Sequence, residues 1–327
     1  MRIALSTNWN SFRHETADAM LEEIVSLGFD TVELGYALTH RQAEGVAAWR
    51  EAGRIRVCSV HAFCPSPVPN AASPELFSIC DPRDFRKARR GIAAVKSTAD
   101  FAASVGARAV VLHAGRVPLR RRIHRLNDLV DNGLLGTSKY QRLLDRALAR
   151  RSRAARRHLD TLCESLAEIL PHIERLGLVL GLENLPTLDA MPNEPEMQIL
   201  LDSFRTPALG YWHDAGHAQA RQHGGLIHHA GIVARFADWI AGLHLHDVAF
   251  PNSDHRMPPA GGTVDFAQFA RFLDTGIPFV LEPARGSEAS SIRTAVEFLS
   301  GLWQLPHKTS PPAQGDAKTP HEDTTTT

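Results

Sequence analysis

Short runs of apolar, β-prone residues recur along the chain and alternate with longer stretches whose apolar positions fall every three or four residues. The runs are Ile3–Ser6, Thr31–Leu34, Arg56–His61, Ala109–His113, Val179–Glu183, Leu209–Trp212, Leu243–His246 and Phe279–Glu282, and each predicts a strand. Between them, segments such as Ala17–Leu27 set Met20, Ile24 and Leu27 at helical spacing. Several helical stretches run into a glycine just before the next strand, as in SLGFDTVEL, SVGARAVVL and RLGLVLGLE. A glycine there takes the left-handed conformation that closes a helix, so the pattern is a βα repeat. Eight strands, each followed by a helix, predict an α/β protein: a single-domain (β/α)8 TIM barrel over residues 1–304. No GxGxxG follows the first strand, so no nucleotide cofactor is expected.

Two segments break the rhythm. Arg116–His158 lengthens the connection after the fourth strand, and its second half, Tyr140–Leu170, predicts one long Arg-rich helix. Between Arg116 and Arg157 lie twelve Arg and one Lys against three Asp, in a chain whose net charge is zero, so the remainder is acidic. Clustered cations attract phosphates. Here the arginines fall on more than one helix face with few aromatics among them, and the neutral whole argues against nucleic acid as a partner. A solvated helix or a homo-oligomer contact is the alternative. The tail, residues 305–327, is rich in Pro, Thr, Lys and Asp without apolar periodicity, and reads as disordered.

Composition adds little beyond confirming the class. With 327 residues, 43% hydrophobic and 22% charged, the chain has enough apolar residues for one large barrel. No apolar run approaches the roughly 18 residues of a membrane helix, and MRIALSTNWNSF reads as a first strand, not a signal peptide. The four cysteines, Cys58, Cys64, Cys80 and Cys163, show no CxxC spacing and suit a reducing cytoplasm.

The chemistry lies in how the strands end. In an α/β barrel the C-terminal strand ends converge on one pocket. Here they carry His61, His113, Glu183, Asp214 with His217 one turn later, the run His244-Leu245-His246-Asp247, and Glu282. Singly, each has a bland reading: a rim histidine, an ion-pair partner, or a helix N-cap at Asp214. Together, so many buried carboxylates and imidazoles would be costly without a cation to offset their desolvation. Of the two histidines in this run, His244 is expected in the pocket and His246 outside it.

These segments resemble the xylose isomerase-like barrel superfamily, which includes sugar isomerases and epimerases and the endonuclease IV type of apurinic-site nuclease. The matching pieces are SVHAF (59–63), VVLHAG (110–115), GLENLP (181–186), YWHDAGHAQ (211–219), GLHLHD (242–247), PPAGGTVDF (258–266) and VLEP (280–283). The resemblance implies one divalent cation, Mn²⁺, Zn²⁺, Co²⁺ or Mg²⁺, held by Glu183, Asp214, His244 and Glu282, with His217 nearby. It implies an isomerase of carbohydrate metabolism, acting on a sugar, sugar phosphate or other polyol through a metal-stabilised enediolate. Glu183 and Glu282 would be its catalytic, proton-moving residues. Substrate binding would fall to His61, His113, His217, Asp254, Arg256 and Trp212, with Asn8, Trp9, Glu33, Tyr36 and Phe63 near the same strand ends. The alternative is a three-metal nuclease acting at abasic DNA sites. His61, His113, His217 and Asp254 occupy matching places for it, but Arg256 stands where that pattern has His, with His255 one residue early.

Overall fold

A computed structural model gives the fold, and the structure describes residues 3–68 and 73–305. Eight parallel strands close into a barrel: β1 (Ile3–Ser6), β2 (Thr31–Leu34), β3 (Arg56–His61), β4 (Ala109–Leu112), β5 (Val179–Glu183), β6 (Leu209–Asp214), β7 (Ile240–Leu245) and β8 (Phe279–Leu281). Each pairs with the next in sequence, and β8 closes on β1 with Ile3 beside Phe279. The predicted strands are all present. Four keep their predicted bounds, and the others shift at an end by one to three residues, most at β6, which runs on to Asp214, and at β7, which begins at Ile240.

Helices α1 (Ala17–Ser26), α2 (His40–Glu51) and α3 (Phe85–Ser104) wrap the first strands. The glycines expected to close helices, Gly28, Gly106 and Gly177, have φ of +90°, +70° and +66°, as a left-handed C′ residue requires. Beyond β5 come α6 (Glu194–Phe204), α7 (Ala215–His223), α8 (His229–Arg235) and α9 (Ala289–Leu302); α4 and α5 belong to the insertion described below. One link departs from the predicted repeat. Between β7 and β8 lies a 3-10 helix, Phe266–Phe272, rather than an α-helix. Its buried residues are Phe266, Phe269 and Phe272. An interval of three is the 3-10 repeat itself, and it stacks all three rings on one face.

The insertion after β4 comprises α4 (Arg120–Asp131) and the first half of α5 (Ser138–Arg175). At 38 residues, α5 is about 57 Å long. Its C-terminal half packs Leu162, Leu166, Ile169 and Ile173 into the main core and serves as the barrel's own helix. Its N-terminal half joins α4 in a satellite apolar cluster of Leu126, Leu129, Tyr140, Leu144, Ala147 and Leu188. The arginines divide by face. Arg142, Arg146, Arg150, Arg153 and Arg157 recur every three or four residues along one exposed stripe. Arg151 points the opposite way and is buried. Its guanidinium meets Glu196 at 2.6 and 2.7 Å and donates to the Leu188 and Ala190 carbonyls at 2.8 and 2.6 Å. The tail expected to be disordered falls outside the described residues except at Leu305. No helix among the described residues is long and apolar enough to cross a membrane.

Behind β6, away from the lumen, a chain of hydrogen bonds fixes its own tautomers. Gln219 Oε1 lies 2.9 Å from His229 Nδ1 and can only accept, so that nitrogen carries the proton. His213 Nε2 then donates to His229 Nε2 at 3.0 Å, and the Tyr211 hydroxyl donates to His213 Nδ1 at 3.3 Å. Both rings are therefore neutral. Burial pushes His229 down to about 4, and burial with the neighbouring His229 holds His213 well below its ordinary value.

Two stability predictions follow from these buried groups. Arg151→Ala strands Glu196 without its partner and is expected to cost about 3–5 kcal/mol in urea unfolding. His229 has a folded pKa below its unfolded 6.5, so its contribution is complete above pH 6.5 and is lost as pH falls from 6.5 to about 4. The loss amounts to about 3 kcal/mol at the low end. Unfolding free energies at pH 7 and 4.5 should therefore differ less in His229→Gln than in the unmodified chain.

Candidate metal centre

The site is built in layers inside the barrel. Ala4, Ala109, Val111, Trp212 and Val280 pack together in the lumen. Trp212 fits because the strands on either side carry glycine at the same level. A Cβ on Gly181 would meet its ring at 3.0 Å and one on Gly242 at 2.3 Å. Two residues further along these three strands come Glu183, Asp214 and His244, in the next layer up on the same face. Trp212, expected to bind substrate, is instead fully buried as the floor, with its ring edge-on to His244 at 5.3 Å.

His244 is oriented from below. Its Nε2 lies 3.1 Å from both oxygens of Glu33, which also accepts from Ser59 Oγ at 2.8 Å. Glu33 is therefore a buried support, not a lining residue. With the ring proton donated to Glu33, His244 presents the lone pair of Nδ1. Facing it are Glu183 Oε1 at 3.3 Å, Glu282 Oε2 at 3.3 Å and Asp214 Oδ2 at 3.7 Å. The ligand atoms of these four residues all lie within 4.8 Å of one another, and all four residues are buried. Electron-rich atoms converging in this way need positive charge between them. A second proton on His244 is one source. Burial opposes that charge, but Glu282, Glu33 and Glu183 outweigh it and raise the His244 pKa well above its ordinary value. A divalent ion is the other, and three carboxylates with one imidazole and no thiolate suit Mn²⁺, Zn²⁺, Co²⁺ or Mg²⁺.

Around this quartet, the predicted residues take distinct places. Glu183 Oε2 is held by His61 Nε2 at 3.2 Å and His113 Nε2 at 3.0 Å, which leaves Oε1 toward the quartet. Burial opposes the charge on Glu183, yet His113 and His244 hold its pKa well below the usual carboxylate range. His61, His113 and Glu183 form a second group with metal-ligand spacing. Asp214 caps α7 by accepting from the His217 amide at 2.6 Å. Asn184 clamps the Asp214 backbone, donating to its carbonyl at 3.0 Å and accepting from its amide at 2.8 Å. The Asn184 carbonyl in turn accepts from His217 Nδ1 at 2.9 Å. Burial disfavours charge on His217, but Asp214 and Glu183 push its pKa up to about 9.

Above lies an open cavity of about 410 Å³, lined in part by Asn8, Tyr36, Glu75, Arg116, His217, His255 and Arg285. Its rim is tied by two short antiparallel ribbons, Gly115–Arg116 with Ala190–Met191 and Asp247–Ala249 with Ser253–Arg256. Arg116 spans Glu75 and Asp189, at 2.6 and 3.0 Å. Arg256 is exposed and donates to the Ala260 carbonyl at 2.9 Å, outside the cavity. Asp254 is half-buried and lines a smaller neighbouring cavity. His255, noted from the sequence only as one residue early for the nuclease pattern, occupies the wall instead. Its φ of +52° turns the chain at this point, which residue spacing alone did not reveal. Trp9 and Phe63 are buried in the core, whereas Asn8 and Tyr36 reach the cavity as expected.

The comparisons with known proteins agree with this fold. No curated protein matches the chain. Among solved structures, it superposes on a D-tagatose 3-epimerase-like protein with a TM-score of 0.67 at 17% identity, covering 93% of this chain and 98% of that one. The 3-keto-D-glucoside 4-epimerase from E. coli gives a TM-score of 0.64 at 17% identity, covering 92% and 99%. The IolI protein with a bound zinc atom gives 0.62 at 14% identity, covering 94% and 100%. At such identities these likenesses speak to the fold. The family model described as xylose isomerase-like TIM barrel matches residues 21–302, and the chain belongs to that family.

Proposed function

We propose that the chain is a divalent-metal-dependent isomerase or epimerase of a sugar or sugar phosphate. The observation that carries this reading is the convergence of His244 Nδ1 with the carboxylates of Glu183, Asp214 and Glu282, at the floor of a cavity with room for a small polyol. The sugar epimerases among the structural neighbours, and the zinc in one of them, support the substrate class and the ion. When bound, the cation would polarise a substrate carbonyl and the hydroxyl beside it.

Glu183 and Glu282 are the candidate proton carriers. Burial raises the Glu282 pKa, but His244 and His255 outweigh it, so both glutamates sit below their ordinary value and both are ionised at neutral pH. Either can thus accept a proton from the carbon beside the carbonyl, and either, once protonated, can return one. Asn8 Nδ2 donates to Glu282 Oε1 at 3.2 Å and fixes that carboxylate's orientation. His217 stands ready to donate to a substrate oxygen in its charged form. A second reading, a nuclease acting at abasic DNA sites with three metal ions, draws on the His61, His113 and Glu183 group and on His217, His246 and His255, both with metal-ligand spacing. Against it, Arg256 stands where that pattern needs His and lies outside the cavity.

Metal analysis of the purified chain separates the two readings: one ion per chain is expected, and three zinc ions with cleavage of an abasic duplex would favour the nuclease. Glu183→Gln and Glu282→Gln should each lose metal and stop the exchange of solvent deuterium into a ketose, followed by NMR across a panel of ketoses and their phosphates. Undiminished exchange in both variants would refute the two-glutamate mechanism.

A further inference from the structure

His246 falls outside the quartet, yet it is fully buried against it. Its Nε2 lies 3.0 Å from each oxygen of Asp214. The other ring nitrogen settles the tautomer. The backbone N–H of His255 points at His246 Nδ1 from 2.9 Å, and a nitrogen that accepts carries no proton of its own. The single ring proton therefore sits on Nε2 and is donated to Asp214. His255 can aim its amide this way because its backbone is left-handed, at φ +52°. Its ring stacks on His246 at 4.1 Å with 20° between planes, and its own Nδ1 lies 3.1 Å from the Glu282 carbonyl. Each member of this chain is thus tied at both ends.

Space for the ring comes from Gly216, in the HDAGH segment. A Cβ there would fall 2.0 Å from His246 Cε1 and 2.2 Å from Nδ1, both ring atoms with no freedom to retreat. The His246 ring, the glycine beneath it and the turn at His255 together fix the angle at which Asp214 meets the quartet.

We propose that His246 is a positioning residue for the metal centre: it donates to Asp214 and holds that carboxylate in ligating orientation, with the hairpin residue His255 fixing its tautomer. This inference rests on the reading of Glu183, Asp214, His244 and Glu282 as a metal site. An outer partner of a ligating group typically controls about 10- to 100-fold in metal affinity. His246 is not a ligand in this arrangement, because the nitrogen nearest the quartet carries the proton.

The test is a titration of the chelator-treated full chain with Co²⁺, which reports affinity and, through its visible absorption, coordination geometry. His246→Ala is expected to weaken binding by about 10- to 100-fold and to shift the cobalt spectrum. Gly216→Ala, which displaces the ring while leaving every polar group in place, should do the same. His246→Gln retains an N–H donor near the position of Nε2 and should recover most of the affinity and the original spectrum; a purely space-filling role would not be rescued by Gln in preference to His246→Phe. Circular dichroism establishes that each variant is folded, and if His246→Ala is not, Gly216→Ala and the Gln and Phe pair decide. Wild-type affinity and spectrum in both His246→Phe and Gly216→Ala would overturn the inference while leaving the metal site intact. If the unmodified chain itself takes up no cobalt, the metal reading fails and this inference falls with it.

Discussion

Three carboxylates and the His244 ring are pressed together at the end of a closed barrel, where water does little to screen them and the carboxylates need positive charge between them, from a second proton on His244 or from a cation. That convergence is the constraint on which the rest of the site depends. Each member is held by a partner that leaves one atom facing inward: Glu33 for His244, His61 and His113 for Glu183, Asn8 for Glu282, and Asn184 with His246 for Asp214. The supports come from β2, β3 and the segments just beyond β1, β4, β5 and β7, so the arrangement exists only once the barrel has closed. Restrained carboxylates of this kind are preorganised, with little reorganisation left for a cation to impose.

Much of this was legible in the sequence. A βα repeat puts strand ends on one rim, so Glu183, Asp214, His244 and Glu282 could be brought together without knowing a single distance. Only His244 belongs to the quartet, but alternation does not account for this, since residues two apart in a strand share a face; β7 ends at Leu245 and His246 lies beyond it. The closing glycines likewise announced themselves, because a helix that ends before a strand needs a residue tolerant of positive φ.

What escaped the sequence depends on neighbours distant in the chain or on single backbone torsions. Trp212 read as a wall residue because it lies near a strand end, yet its depth is set by glycines on the two adjacent strands. Glu33 looked like lining for the same reason, until His244 was found above it. Arg256 and His255 exchanged roles through one left-handed residue, a feature with no periodic signature in a non-glycine position. The 3-10 link was in principle visible as Phe266, Phe269 and Phe272 at intervals of three, a spacing easily mistaken for an α-helical face.

The tryptophan layer has a consequence for how this barrel can change. Gly181, Trp212 and Gly242 share one level of the lumen, and a side chain on Gly242 would collide with the indole at 2.3 Å. Enlarging Gly242 demands a smaller residue at 212 in the same event, a side chain on Gly181 needs the indole to give by a few tenths of an ångström, and shrinking the tryptophan alone opens a void directly beneath His244. The three positions are thus coupled across adjacent strands, and single substitutions lead away from a working floor in every direction. Change is accommodated more readily above, in the rim ribbons and the insertion, where a residue can be exchanged without disturbing the floor on which the centre stands.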